Sequence, residues 1–284
     1  MSDSRDTSTE PVAKARPVWL RGAALGGAAV AVVAAVLWFT AGPPGPESRS
    51  GPVPDFGAIE DVKAKKAAFF GFLAPMIDAH NDWILDNRSF LEAQRAAIAA
   101  GKAPRGKDRT RIEELAVRYR LPVEGDIDVA LIDTLLFRGD VVPPSLALAQ
   151  AASESAWGTS RFARQGNNYF GEWCFTADCG MVPAQRGSGK SHEVEVFDSV
   201  EASVDSYFRN LNQVSVYEPL RELRATAREA GRPIEGAALA AGLEKYSERG
   251  DEYIADLRSI ISFNKLQAYD VALNGGGEEA SPSG

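Results

Sequence analysis

Residues 22–41 read GAALGGAAVAVVAAVLWFTA, 20 positions without a charge. Coiled as a helix, such a run is about 30 Å long, the thickness of a hydrocarbon core. Lys14, Arg16 and Arg21 precede it, and Pro43, Pro44 and Pro46 follow. The basic flank predicts a cytoplasmic tail over 1–21 and a transmembrane signal anchor over 22–41. A cleaved signal peptide is the competing reading: FTA ahead of GPPG offers a cleavage point, although the run is longer than a usual signal-peptide core. On either reading the rest of the chain folds outside the cytoplasm. The expected location is a single-pass inner-membrane protein with a periplasmic body.

The charge of that body narrows its ligands. The chain has 284 residues, with 31 Lys and Arg against 39 Asp and Glu. The first 42 residues hold four of the basic and three of the acidic ones, which leaves 27 and 36 and a formal charge of −9. Nucleic acid and anionic lipid surfaces are poor ligands for such a body. Neutral, apolar and carbohydrate ligands stay open. Cys174 and Cys179, in CFTADC, are the two cysteines. In an oxidising compartment a pair so close reads as a disulfide, stabilising by about 2 kcal/mol. A zinc site needs more ligands than these, and His80 and His192 are the only histidines. Neither a metal nor a cofactor is expected.

Beyond the apolar run, 42–57 is rich in Pro, Gly and Ser and reads as a stiff polar linker. The tail 273–284 has the composition of a disordered segment. Between them the pattern is mostly helical. Val62, Phe69, Phe70, Leu73, Ile77 and Ile84 recur at helical spacing. Further helices fit 109–119, 126–137, 145–157, 198–212, 217–230 and 251–268, about nine in all with the shorter ones. Asp198 or Ser199 can cap the one that opens at 198. The segment MVPAQRGSGKSHEVEVF differs: a Gly-Ser-Gly turn and alternation from His192 to Phe197 predict a small β-hairpin. A helical region over 58–139 and a second domain over 140–272 follow from these textures.

The stretch SLALAQAASESAWGTSRFARQGNNYFG, 145–171, puts a carboxylate in an Ala- and Leu-rich helix. Pro143 and Pro144 suit its start. Leu146, Ala149, Ala152, Ser153, Ala156 and Trp157 fall along one side, with Glu154 beside them. Gly158 ends the helix, and Thr159 or Ser160 can cap a short successor. Glu154 then lies in a last turn, at the negative end of the helix dipole and among small residues. Both effects raise a carboxyl pKa. A general acid working near neutral pH needs that. A surface glutamate, or one paired with Arg161 or Arg164, has the same spacing. Next comes GNNYFGEWCF, with two amides and four aromatics. Tyr169, Phe170, Trp173 and Phe175 suit either sugar stacking or a core.

Taken in order, ALAQAASESAWGTSRFARQGNNYFGEWCF, VFDSVEASVDSYFRNLN, VYEPL and LEKYSERGDEYIADLRSII resemble the peptidoglycan-cleaving N-acetylglucosaminidase domains of glycoside hydrolase family 73. More closely they resemble the bacterial Bax-type proteins. The resemblance covers about 140–270, and 58–139 also resembles the helical N-terminal region of that type. It implies an α+β, mostly helical fold: a lysozyme-like body with a small β-lobe and a cleft between, here preceded by the transmembrane helix. It implies a membrane-anchored hydrolase that cuts the β-1,4 bond after N-acetylglucosamine in glycan strands.

Residue by residue, the resemblance implies that Glu154 donates the proton to the leaving oxygen and that Tyr217 lines the site. Asn167, Asn168, Tyr169 and Phe170 are expected to touch substrate, and Trp157 counts with this group, packed beneath the glutamate. The second carboxylate departs from the pattern, because PAQRGSGKS offers no acid. Glu193 is the choice for it; Glu195, Glu172 and Asp178 are the other acids nearby. A mechanism using the substrate's own 2-acetamido oxygen needs none. A muramidase or lytic transglycosylase on the same fold, and a non-catalytic peptidoglycan-binding module, are the alternatives.

Overall fold

The structure is a computed structural model that describes residues 51–176, 178–183 and 192–274. The apolar run 22–41, most of the linker, the tip of the expected hairpin and the last ten residues lie outside the described residues. Among the described residues no helix is long and apolar enough to cross a membrane.

Nine α-helices are present among the described residues. Helix α1 is Val62–Ala99, α2 Gly106–Arg118, α3 Val129–Arg138, α4 Pro144–Glu154 and α5 Arg161–Gly166. After the sheet come α6 Val200–Gln213, α7 Glu218–Glu229, α8 Gly236–Leu239 and α9 Asp251–Phe263, with 3-10 turns at Ser215–Tyr217, Ala240–Leu243 and Leu266–Asn274. Local chemistry sets their starts. Asp61, Asp128, Ser160 and Ser199 each cap a helix by accepting a backbone N–H three residues on. Ser199, not Asp198, caps α6.

Two buried clusters organise the body. The larger holds Phe69, Leu73 and Ile77 of α1 together with α4, α6, α7 and α9. The smaller joins Leu91 of α1 to Ile112, Leu115, Tyr119, Ile132 and Leu135. Helix α1 therefore serves both, and the boundary expected at 139/140 does not separate one core from the other. The linker also ends earlier than its composition suggests. Phe56 is 1% exposed and meets Phe69 and Phe72 edge-on at 5.4 and 6.0 Å.

Helix α4 is buried from Pro144 to Ala152. The expected single stripe is wrong here, since Ser153 and Ala156 are exposed while every residue of the first two turns is covered. Small side chains let neighbours approach from all sides. At Gly236 of α8 a Cβ would lie 2.1 Å from Ser145 Oγ. The start of α4 is pinned twice. Ser145 donates its N–H and hydroxyl to Asp270 at 2.8 and 2.6 Å. Just upstream, buried Asp140 meets the guanidiniums of Arg228 at 2.5 Å, Arg88 at 3.4 Å and Arg224 at 3.7 Å. Arg224, itself buried, donates to the carbonyls of Arg138, Asp140 and Val141 and to Asn212 Oδ1.

The β-lobe is a three-stranded antiparallel sheet in the order β1–β3–β2, with β1 Trp173–Cys174, β2 Gly180–Met181 and β3 Glu193–Glu195. Strands β2 and β3 form the expected hairpin. Strand β1 is an addition, pairing Trp173 with Val194 and Cys174 with Glu193. Cys174 and Cys179 form a disulfide.

Candidate active site

Helix α4 stops at Glu154 because the next turn reverses hand. Ala156, Trp157 and Gly158 all have positive φ, 50°, 60° and 74°. Ser155 holds the reversal, donating its hydroxyl to Ala151 O at 2.6 Å and accepting Gly158 N–H at 2.8 Å. Gly158 has a second reason to lack a side chain: a Cβ would sit 2.4 Å from the Phe56 ring. Trp157 turns toward α1, edge-on to Phe69 and Phe70 at 5.7 and 5.4 Å, with the Lys66 ammonium 4.7 Å above its ring. It braces the turn behind Glu154.

The Glu154 side chain lies over Gly171. A Cβ there would be 2.9 Å from Glu154 Oε2, and Gly171 also has φ 68°. The partner on the other side is the Tyr253 phenol, which hydrogen-bonds the carboxyl. Behind it runs a buried relay. Tyr207 donates to Gln150 Oε1 at 2.7 Å, and Gln150 Nε2 donates to the Tyr253 oxygen at 3.1 Å. Gln150 is four residues before Glu154, hence one helical turn behind it. Burial raises the Glu154 pKa; the Tyr253 hydrogen bond and the Arg249 charge oppose this without cancelling it. Arg249 is itself engaged by Asp256 and Glu252. The alternative pairing of Glu154 with Arg161 is not what forms: Arg161 donates to Val182 O.

Tyrosines make the rest of the wall. Tyr246 stacks on Tyr253 at 5.7 Å and donates to Phe170 O at 2.7 Å. Tyr217 lies 5.7 Å from Tyr246. The Tyr217 phenol is pushed up to about 12, by burial first and then by Glu172 and Glu154. The Tyr217 phenol therefore feels the charge of both carboxyls.

Glu172 is the second carboxyl at this wall. It is 7% exposed, accepts from Asn210 Nδ2 and Ser206 of α6, and its Oε2 is buried without a partner. Burial pushes it up to about 8, with Glu195 adding to the rise and Ser206, Asn210 and Arg209 opposing it. Glu193, the sequence-based choice, accepts Gly180 N–H at 2.9 Å next to the disulfide. Its carboxylate is tied to the lobe's own backbone. Cys174, Cys179 and Glu193 lie within 4.8 Å of one another, but both sulfurs are in the disulfide and neither offers a thiolate to a metal.

The amides and rings after Gly166 correct the sequence reading most. Asn168 is 1% exposed and fully used: its Nδ2 donates to Glu172 O and Glu195 O, both at 2.9 Å, and its Oδ1 accepts Glu172 N–H. Asn167, at φ 50°, caps α5 and donates to Phe197 O. Tyr169 is buried, and Phe170 stacks on Tyr207 at 4.0 Å. These residues hold the loop to sheet and helix and present little to a ligand. The physical reason is that a loop carrying buried backbone must satisfy it, and amides do so. Gln150, Tyr246 and Tyr253 are the site residues the sequence did not single out, and Glu172 stood only among the other acids near Glu193. A lone polar residue one turn before Glu154 was the signal for Gln150.

A family model described as glucosaminidase, mannosyl-glycoprotein endo-β-N-acetylglucosaminidase, matches residues 137–266, which include Glu154, Glu172, Tyr217 and Tyr253. The chain is 32% identical over 206 residues to protein bax of Escherichia coli strain K12, covering 72% of each chain. Among solved structures, the catalytic domain of the autolysin Auto from Listeria monocytogenes is similar at 20% identity, covering 63% of this chain and 96% of that one with a TM-score of 0.32.

Proposed function

From the premise that this chain belongs to the glucosaminidase family, and is a glycoside hydrolase of the endo-β-N-acetylglucosaminidase type, we propose that it cuts peptidoglycan glycan strands after N-acetylglucosamine with Glu154 as the general acid. The observation that carries this is the Glu154 carboxyl itself. It sits at the end of a buried helix and packs on Gly171. Tyr253 fixes its orientation, and burial holds it toward the neutral form. A neutral carboxyl aimed by a phenol can protonate a leaving glycosidic oxygen.

The substrate's own 2-acetamido oxygen attacks the anomeric carbon as the glycosidic bond breaks, and water then opens the cyclic intermediate. Two observations support this over a protein nucleophile. Glu172 is buried and neutral below about pH 8, and Glu193 is held by Gly180 N–H. Tyr217 orients the acetamide. The apolar run 22–41 anchors the body to the inner membrane, facing the wall.

The test is digestion of peptidoglycan by the full chain beside Glu154→Gln, with products identified by mass. Fragments ending in reducing N-acetylglucosamine that vanish in the variant are the expected result. Reducing or anhydro N-acetylmuramic ends would mean a muramidase or transglycosylase. Binding to the wall without release of fragments would mean a binding module. A Glu193→Gln chain should turn over nearly normally; a loss of several orders of magnitude would restore Glu193 as the nucleophile.

A further inference from the structure

The four aromatics of GNNYFGEWCF divide sharply. Tyr169 and Phe170 are 1% and 0% exposed, whereas Trp173 and Phe175 are 46% and 79% exposed. The first two are core. The second two belong to neither buried cluster. A large exposed aromatic pair on a short stretch of chain calls for a ligand more than a scattered surface leucine does.

Their setting is rigid. Trp173 pairs with Val194 across the sheet, and His192 meets its indole edge-on at 4.4 Å. Cys174, between the two aromatics, is tied to Cys179. An aromatic held this way loses little freedom on binding. The position is also specific. Gly171, against which the Glu154 carboxyl packs, is two residues before Trp173. Two residues of chain span at most about 7 Å, comparable to one sugar unit. Glu172, between them, turns inward to α6 through Asn210. Side chains alternate along a strand, so Trp173 faces the other way, outward. A pyranose ring offers an apolar CH face that suits an indole, and the acidic body disfavours nucleic acid, the other common partner of exposed aromatics.

We propose that Trp173, extended by Phe175, is the stacking platform of a glycan subsite next to Glu154, taking the apolar face of an N-acetylhexosamine in the strand being cut. This rests on the carbohydrate reading of the Glu154 site. The platform holds the strand while the chemistry proceeds elsewhere, so it acts on binding.

The experiment uses the full chain, with isolated wall sacculi for turnover and chitohexaose for binding. Trp173→Ala should raise KM for sacculi about tenfold, with the loss falling on KM and not on kcat. Phe175→Ala should give a smaller rise, and Trp173→Tyr should recover most of the affinity. In a Glu154→Gln background, chitohexaose should change tryptophan fluorescence, and Trp173→Phe should abolish that change. Phe175→Ala and Trp173→Tyr guard against a misfolded lobe, because both keep the sheet's pairing. Unchanged KM and unchanged chitohexaose binding in Trp173→Ala and Phe175→Ala would overturn the subsite while leaving the hydrolase reading intact. If the unaltered chain releases no fragments, the hydrolase reading fails, and the fluorescence arm still decides the platform.

Discussion

Asp140 and Glu172 are both buried carboxyls, 3% and 7% exposed, and they settle into opposite charge states. Burial alone would raise Asp140, but Arg224, Arg228 and Arg88 together outweigh it and hold the carboxyl below the usual range. Glu172 has two neutral hydrogen-bond donors and only the Arg209 charge, set against Glu195, to oppose its burial, and it rises to about 8. The clamp ahead of α4 and the wall beyond its end therefore handle the same functional group by different rules. Guanidiniums surround a charge that fixes the start of the helix. Tyrosines and amides surround the carboxyls at its far end, where burial raises the pKa of each. Glu154 follows the second rule, with one phenol and a partly screened arginine. A carboxyl left without a close cation costs stability, and such a cost is common where a proton must be kept.

That contrast can be broken at either end. The largest effect belongs to Glu154→Gln, which should lower turnover by about 10²–10⁴-fold while the melting temperature stays level or rises, read by wall digestion and by calorimetry. If the melting temperature falls sharply, Glu154 is a structural carboxyl like Asp140. Asp140→Asn should do the reverse. It strands three guanidiniums, of which Arg224 is fully buried, and should cost about 3–5 kcal/mol of stability in urea titration. Its stabilising charge is present above the carboxyl's unfolded pKa and is lost as pH falls through the depressed folded value.

Glu172 has the opposite sign. Its folded pKa lies above its unfolded value of 4.5, so the unfolded chain loses the proton first and stability falls as pH climbs from about 4.5 to about 8. Glu172→Gln should flatten that slope and be more stable than the unaltered chain at pH 8, by on the order of a few kcal/mol at most. Equal slopes in the two chains would show that Glu172 is ionised and compensated after all. The smallest effect is expected at Gly171→Ala. The added methyl meets Glu154 Oε2 at 2.9 Å on a backbone of φ 68°, which should destabilise by about 1 kcal/mol and lower kcat more than it raises KM.

Much of this was legible in sequence. The α4 segment declared itself through Pro143, Pro144 and Gly158, and Glu154 through its place among small residues. Burial on every side of α4 was not legible, because Ala and Ser fit both covered and open positions. Strand β1 has two residues, too short for alternation to register. Asn167 and Asn168 looked like ligand groups because free and backbone-bound amides have the same letter. Tyr253 is 99 residues from Glu154 in the chain, and only folding brings its hydroxyl there. Asp140 lies between α3 and α4 and its three arginines on α1 and α7, where each reads as an ordinary surface charge.

The burial of Phe56 bears on how the body can be trimmed. Its ring fills the space that Gly158 leaves open, and Phe69 and Phe72 close around it. A cut at 57, where the composition changes, would take a phenyl from the core and leave a void under the turn that follows Glu154, at a cost of about 3–5 kcal/mol. A cut ahead of Val53 keeps it. What looks like the last of a leash is in fact the floor under the turn that follows Glu154.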